Sequence, residues 1–135
     1  MARVVARLVF DRLPELRGQL RVRASAIVRK TALDVEARAK ASMDGPRSGR
    51  LYRRPGGQVH QASAPGEPPA VDTGTLKNSL QAAMESDLVA VVFSDVEYAP
   101  YLELGTRRMA PRPFLGPAVE AVRPAFEAAM KRLLG

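Results

Sequence analysis

The sequence predicts an α+β fold: a small mixed or antiparallel β-sheet covered by a long N-terminal helix, with a kinked helix closing the chain. Three patterns predict it. Residues 2–10 alternate with the two-residue period of a strand. Apolar residues at three- and four-residue steps run from Leu13 to Ala39. A second stripe of that kind, from Leu115 to Leu133, follows a strand-like stretch at 80–93. The 135 residues fit one domain with one modest core, spanning 1–135 and carrying an extended Gly/Pro/Arg-rich insertion at 44–70.

In the first strand Val4, Ala6, Leu8 and Phe10 share one side, and Arg3 and Arg7 fall on the other with Val5 and Val9. The long helix is expected over 11–43. Asp11 serves as its N-cap, and Pro14 sits in the first turn, where its missing donor costs little. Leu13, Leu16, Leu20, Ala24, Ile27, Thr31, Val35 and Ala39 trace the buried stripe. Arg17, Arg21, Arg29, Lys30, Arg38 and Lys40 lie mostly off it and read as a solvated face. Gly18 inside that helix weakens it by about 1 kcal/mol relative to alanine.

Residues 44–70 change character. Gly45, Pro46, Gly49, Pro55, Gly56, Gly57, Pro65, Gly66, Pro68 and Pro69 break any regular period, and Arg47, Arg50, Arg53 and Arg54 make the segment basic. Residues 51–54 and 58–61 flank Pro55-Gly56-Gly57 and predict an extended hairpin. A connection this long inside a compact domain is usually functional or disordered. Asp72, Thr73 and Thr75 around Gly74 have short side chains suited to capping a short helical turn. Leu80, Ala82 and Met84 then alternate with Gln81, Ala83 and Glu85, Ser86-Asp87 marks a turn, and 88–93 is apolar on both faces, as in a central, doubly covered strand. This hairpin is expected beneath the long helix, with a further strand over 96–102. The closing helix is expected over 113–134. Leu115, Ala118, Val119, Val122, Phe126, Ala129, Met130 and Leu133 stay in phase across Pro124, which removes a hydrogen bond to the Glu120 carbonyl and predicts the kink.

Composition narrows the functional classes. The absence of cysteine excludes disulfides and thiolate metal sites. A net charge of +7 suits nucleic acid or an acidic protein surface as partner, and simple solubility is the competing reading. The longest apolar run, 88–93, is far short of the roughly 20 residues of a membrane-spanning helix, so no membrane partner is expected. The first ten residues do not read as a signal peptide, because Arg7 interrupts the apolar stretch and no clean cleavage site follows.

Catalysis finds little support. The one histidine, His60, reads as a solvated loop residue; Ser63 is near in sequence, but the segment offers no scaffold for a nucleophile–base pair. Asp87, Asp95 and Glu97 straddle turns and strand ends, where acidic residues are common. Gly56-Gly57 lacks the Gly-Lys-Ser/Thr ending of a phosphate loop. The expectation is a non-enzyme with no catalytic residue, metal or cofactor.

The distinctive stretch is 98–117, YAPYLELGTRRMAPRPFLGP. A core strand avoids so many prolines, and a disordered linker lacks so many large apolar groups. Tyr98, Tyr101, Met109 and Phe114 are either interface anchors or plugs for the end of the core. Glu103 is expected to pair with Arg107, Arg108 or Arg112, ordering the belt or crossing to a neighbouring subunit. These eight residues are the subunit-interface candidates. Arg47, Arg50, Arg53 and Arg54 are the candidates for an arm or a DNA channel; arginines in irregular segments suit sequence-independent phosphate contact, and protein contact equally.

The belt also carries a resemblance. Asp72, Thr73, Gly74, Leu76 and Ser79 form one box; Tyr98, Ala99, Tyr101, Glu103, Gly105 and Thr106 form a second; Pro113, Phe114, Leu115, Pro117 and Ala118 open the last helix. In this order the chain resembles the neck or tail-completion (head–tail joining) proteins of long-tailed bacteriophages, the lambda-Z-like tail-component family. The resemblance covers nearly the whole chain apart from 44–70. It implies a structural virion protein, made in the bacterial host cytoplasm, that forms a homo-oligomeric ring, a hexamer by tail symmetry, at the head–tail junction. It implies head-closure or connector proteins and tail-terminator or tail-tube proteins as partners, and non-specific contact with packaged DNA. A tail-terminator ring and a small non-specific DNA-binding protein are the alternatives.

Overall fold

The computed structural model describes residues 3–9, 18–45, 47–49, 51–53, 56–57, 59–69 and 74–135. In chain order the elements are β1 (Val4–Val9), α1 (Gln19–Ser42), β2 (Leu51–Arg53), β3 (Val59–Gln61), α2 (Thr75–Ser79), β4 (Gln81–Ser86), β5 (Val89–Ser94), α3 (Ala99–Leu104) and α4 (Gly116–Leu134). Asp11, Leu13, Pro14, Leu16 and Arg17 of the expected first helix lie outside the described residues, as do Arg50, Arg54, Asp72 and Thr73.

The main sheet is antiparallel with order β1-β5-β4. Register alone sorts its faces. Val4, Ala6 and Leu8 lie opposite Ser94, Val92 and Ala90, and Ala82 and Met84 flank Val92 and Ala90 from the other side. That face enters the core. The opposite face bears Val5, Arg7 and Ala83, all exposed. Among the described residues the double cover expected of the central strand is not found: α1 packs over β4 and β5 on one face. On the other, side chains do the covering. The Arg3 guanidinium sits 3.9 Å from the Phe93 ring centre, and Arg7 reaches across β5 to Glu85 at 2.8 and 3.1 Å.

Helix α1 buries Ala24, Val28, Thr31, Ala32, Val35 and Ala39, followed by Met43. The expected stripe holds from Ala24 onward, with Val28 and Ala32 added. Leu20 falls out of it, exposed near the helix start. Gly18 is not inside the helix. It sits at its N-cap with φ 64°, a left-handed conformation open to glycine, and turns the chain into α1. Helix α1 packs most extensively against α4. Small residues at Ala24, Ala32, Ala39 and Ala118 permit the close approach that a core poor in aromatics needs. Helix α4 runs unbroken through Pro124 and keeps the expected stripe, from Ala118 to Met130 and Leu133.

One element is of the wrong type. The strand expected over 96–102 is instead a turn followed by α3. Pro100 decides it: without an N–H it disrupts a ladder, yet it fits the first helical turn, where donors are unpartnered anyway. The insertion hairpin does form, with Leu51 opposite Gln61, Tyr52 opposite His60 and Arg53 opposite Val59.

Candidate assembly surface

Three sequence motifs meet in space: the insertion hairpin, the Gly74–Ser79 box and the belt. Met43, Tyr52, His60, Lys77, Tyr98 and Arg112 line a groove of about 520 Å³ between them. His60 thus stands half-buried on a strand at the groove wall, not in an open loop.

Within the belt, Tyr98 at the N-cap of α3 and Tyr101 and Leu104 on α3 itself point outward, 45%, 51% and 74% exposed. Phe114 is 0% exposed and belongs to the core. It is therefore a plug and no interface anchor: at the entry to α4 it points into the space between helices and sheet. Met109 is half-buried. Gly105 ends α3 at φ 76°, ψ 176°, a region essentially reserved for glycine. A β-carbon there would lie 2.9 Å from both the Met109 carbonyl oxygen and Pro111 Cδ. Gly105→Ala is expected to cost about 1–3 kcal/mol from backbone strain alone, read as a lowered denaturation midpoint. A midpoint equal to wild type would show that the turn tolerates another conformation.

After Gly105 the chain folds into a tight turn. Thr106 N–H donates to the Met109 carbonyl at 2.8 Å, Met109 N–H returns to Thr106 at 3.4 Å, and Arg108 N–H donates to Thr106 Oγ1 at 3.2 Å. Arg107 and Arg108 are raised at its tip, exposed and without side-chain ion pairs among the described residues.

Glu103 does not pair with Arg107, Arg108 or Arg112. Its carboxylate accepts from the N–H groups of Phe114 and Leu115 at 3.0 and 2.8 Å and of Gly116 at 3.1 Å. Helix α4 begins at Leu115-Gly116-Pro117 with no local Ser, Thr, Asp or Asn to take its unpartnered donors. A carboxylate from α3 does so from a distance, favoured by the positive end of the helix dipole. Arg112 is spent on the insertion: its Nε donates to the Ser63 carbonyl at 3.2 Å, and its backbone N–H donates to Leu102 at 2.6 Å.

The insertion is pinned at several points. The Arg47 guanidinium donates to the carbonyls of Ser42, Asp44, Pro68 and Pro69, clamping the two ends of the segment together, so it is not a free arm arginine. Arg53 is exposed on β2. Lys77 pairs with Asp44 at 2.8 Å, and Gly66 N–H donates to the Pro111 carbonyl at 2.9 Å. Gly49 N–H donates to Ala62, an approach so close that a β-carbon would lie 2.5 Å from the Ala62 and Ser63 oxygens.

Glu67 accepts from the N–H groups of Ala64 and Ser48 and from the Ser48 hydroxyl. These bonds, the Ala64 N–H foremost, hold its carboxyl below its ordinary value of 4.5. A depressed carboxyl contributes stability that is complete above its unfolded value and lost as pH falls through the folded one. Exchange of the Ser48 and Ala64 amide hydrogens is therefore expected to lose protection as pH drops below 4.5, and Glu67→Gln to remove that dependence. Protection unchanged down to pH 3 would sink the assignment.

The Ser79 of the box has a structural task. Its hydroxyl donates to Leu76 at 2.6 Å and meets the fully buried Ser94 hydroxyl at 2.6 Å, which in turn accepts from Val96 N–H at 3.2 Å. This relay ties α2 to the end of β5. Among the described residues no cluster of His, Asp and Glu is placed to hold a metal, and Asp87 and Asp95 pair with Arg21 and Arg3. No helix of the described residues is long and apolar enough to cross a membrane.

No curated protein and no solved structure gives a significant match. A family model described as "Bacteriophage HK97-gp10, putative tail-component" matches residues 9–105, which include β4, β5, the box, the insertion and the α3 part of the belt. With its antiparallel sheet under a long first helix and its belt mounted on α3, the chain belongs to the HK97-gp10-like family of bacteriophage tail components.

Proposed function

We propose that the protein is a structural virion component that forms a homo-oligomeric ring at the head–tail junction, a neck or tail-completion ring around the DNA channel. The observation that carries this reading is α3. Tyr98, Tyr101 and Leu104 stand uncovered on a helix whose surroundings are locked by Glu103, Gly105 and Arg112. Large exposed groups on a rigid mount lose little freedom on binding, which favours their use as anchors. A hexamer follows the symmetry of the tails in which the family's members act. Connector, tail-terminator or tail-tube proteins are the stacking neighbours. Arg107, Arg108 and Arg53, with the net charge of +7, suit acidic faces of those rings or non-specific contact with packaged DNA. The insertion, as an arm of the single domain, offers Leu51 and Val59 to a neighbour.

The test compares wild-type and Tyr101→Ala chains. Light scattering and electron microscopy are expected to find wild-type rings. The variant is expected to keep its circular dichroism and to lose at least about tenfold in ring population, as for an interface hot spot of 2 kcal/mol or more. A variant that assembles and enters particles as wild type does would remove the belt from assembly.

A further inference from the structure

Among the described residues both outer strands of the main sheet lack a further strand partner: β1 and β4 pair only with β5, so each presents a row of backbone N–H and C=O groups outward. Exposed edges of this kind are templates for another chain, and proteins commonly blunt them with proline, bulges or a covering segment. Neither strand contains proline, and each is six residues long; the register of β4 shifts between Met84 and Ser86, so its regular edge is residues 81–84.

Apolar groups flank both edges. Beside β4, the outward side of α1 carries Val22 (71% exposed) and Leu33 (53%) in line with Ala26 and Ala37, at the spacing of one helix face. Leu33 and Arg29 form a groove there with Ala82, Ala83 and Met84. Beside β1, Pro100 and Leu104 of α3 and Val119 of α4 form a second groove with Val4, Val5 and Ala6. Charge is complementary at one pair of positions: Arg29, without an ion pair among the described residues, lines the β4 groove, and Glu120, an exposed carboxylate that pairs with Arg123 on its own helix, lines the β1 groove. Arg3, Arg7 and Glu85 are already paired within the chain and add nothing across the joint.

We propose that these two edges are the halves of one joint: β4 of one copy adds to β1 of the next, and the outward stripe of α1 packs on the neighbour's α3. The joint rests on the ring reading above and names the surfaces that close the ring. Since β1 and β4 are both antiparallel to β5, they run in the same direction, so the joined strands are parallel and each added copy exposes the same edge again. Such a head-to-tail contact closes when its rotation permits, whereas edge self-pairing stops at an antiparallel dimer.

Full-length Leu33→Asp and Leu104→Asp chains test it. Both positions are exposed, so melting curves should match wild type; Val22→Asp serves as a second variant on the β4 side. Each variant alone is expected to lose at least about tenfold in ring population. An equimolar mixture of the two is expected to give a discrete dimer, because each retains the half that the other lacks. Rings that persist in Leu33→Asp, Val22→Asp and Leu104→Asp would overturn this joint and leave the ring standing. Dimers of Leu33→Asp alone would replace the joint with self-pairing through β1. A wild-type chain that is monomeric at every concentration and absent from particles would overturn both proposals.

Discussion

Phe114→Ala is expected to destabilise the fold by about 3–5 kcal/mol, the usual cost of emptying a buried aromatic site. The ring is 0% exposed and sits where the belt enters α4, packed with the residues that join helix and sheet. Domains of this size have only about 5–15 kcal/mol of stability in total, so the variant should melt well below wild type and be depleted in cells. Tyr101→Ala is the control: it removes a side chain 51% exposed and should change stability by less than about 0.5 kcal/mol. Denaturant titrations of both variants decide the matter. Near-equal midpoints would mean that Phe114 is not part of the core.

Glu103→Ala should cost about 2–3 kcal/mol. Hydrogen bonds to a charged acceptor contribute about 1.5–3 kcal/mol each but are not additive, and loss of an ordinary helix cap costs about 0.5–2 kcal/mol. Glu103 takes the donors of Phe114, Leu115 and Gly116 together, and it also fixes α3 to α4. Amide exchange should therefore accelerate first at those three positions. Glu103→Gln keeps one acceptor oxygen and brings an amide group toward the same donors, so it should fall between wild type and alanine. If the alanine variant left those amides as protected as before, the cap would have no energetic weight.

Much of the fold was legible in the chain. The alternation of Val4, Ala6 and Leu8, the stripe from Ala24 to Ala39, the β4–β5 hairpin and the insertion hairpin all appear where local period and turn chemistry place them. The misreadings have particular causes. Tyr98 to Leu102 has the aromatic content of a strand, but Pro100 cannot join a ladder, and the chain took a helical turn. An apolar run such as 88–93 does not reveal that the Arg3 guanidinium would cover the Phe93 ring. Glu103 stood among arginines in sequence, and its partners lay eleven or more residues away. Only the absence of a capping residue before Gly116 hinted that a distant acceptor was needed.

The amino-acid sequence by itself determined the order of the elements and the kind of most of them, α3 excepted, together with the family boxes and the chemistry ruled out by having no cysteine, because these depend on local periodicity and composition. The tertiary structure alone decided which of the belt's groups turn inward and which remain for a partner. Phe114 and Tyr101 are both aromatic and equally suited to either role; one is buried and the other exposed because of where α3 and α4 are held against the sheet, a matter of long-range packing that no local pattern encodes.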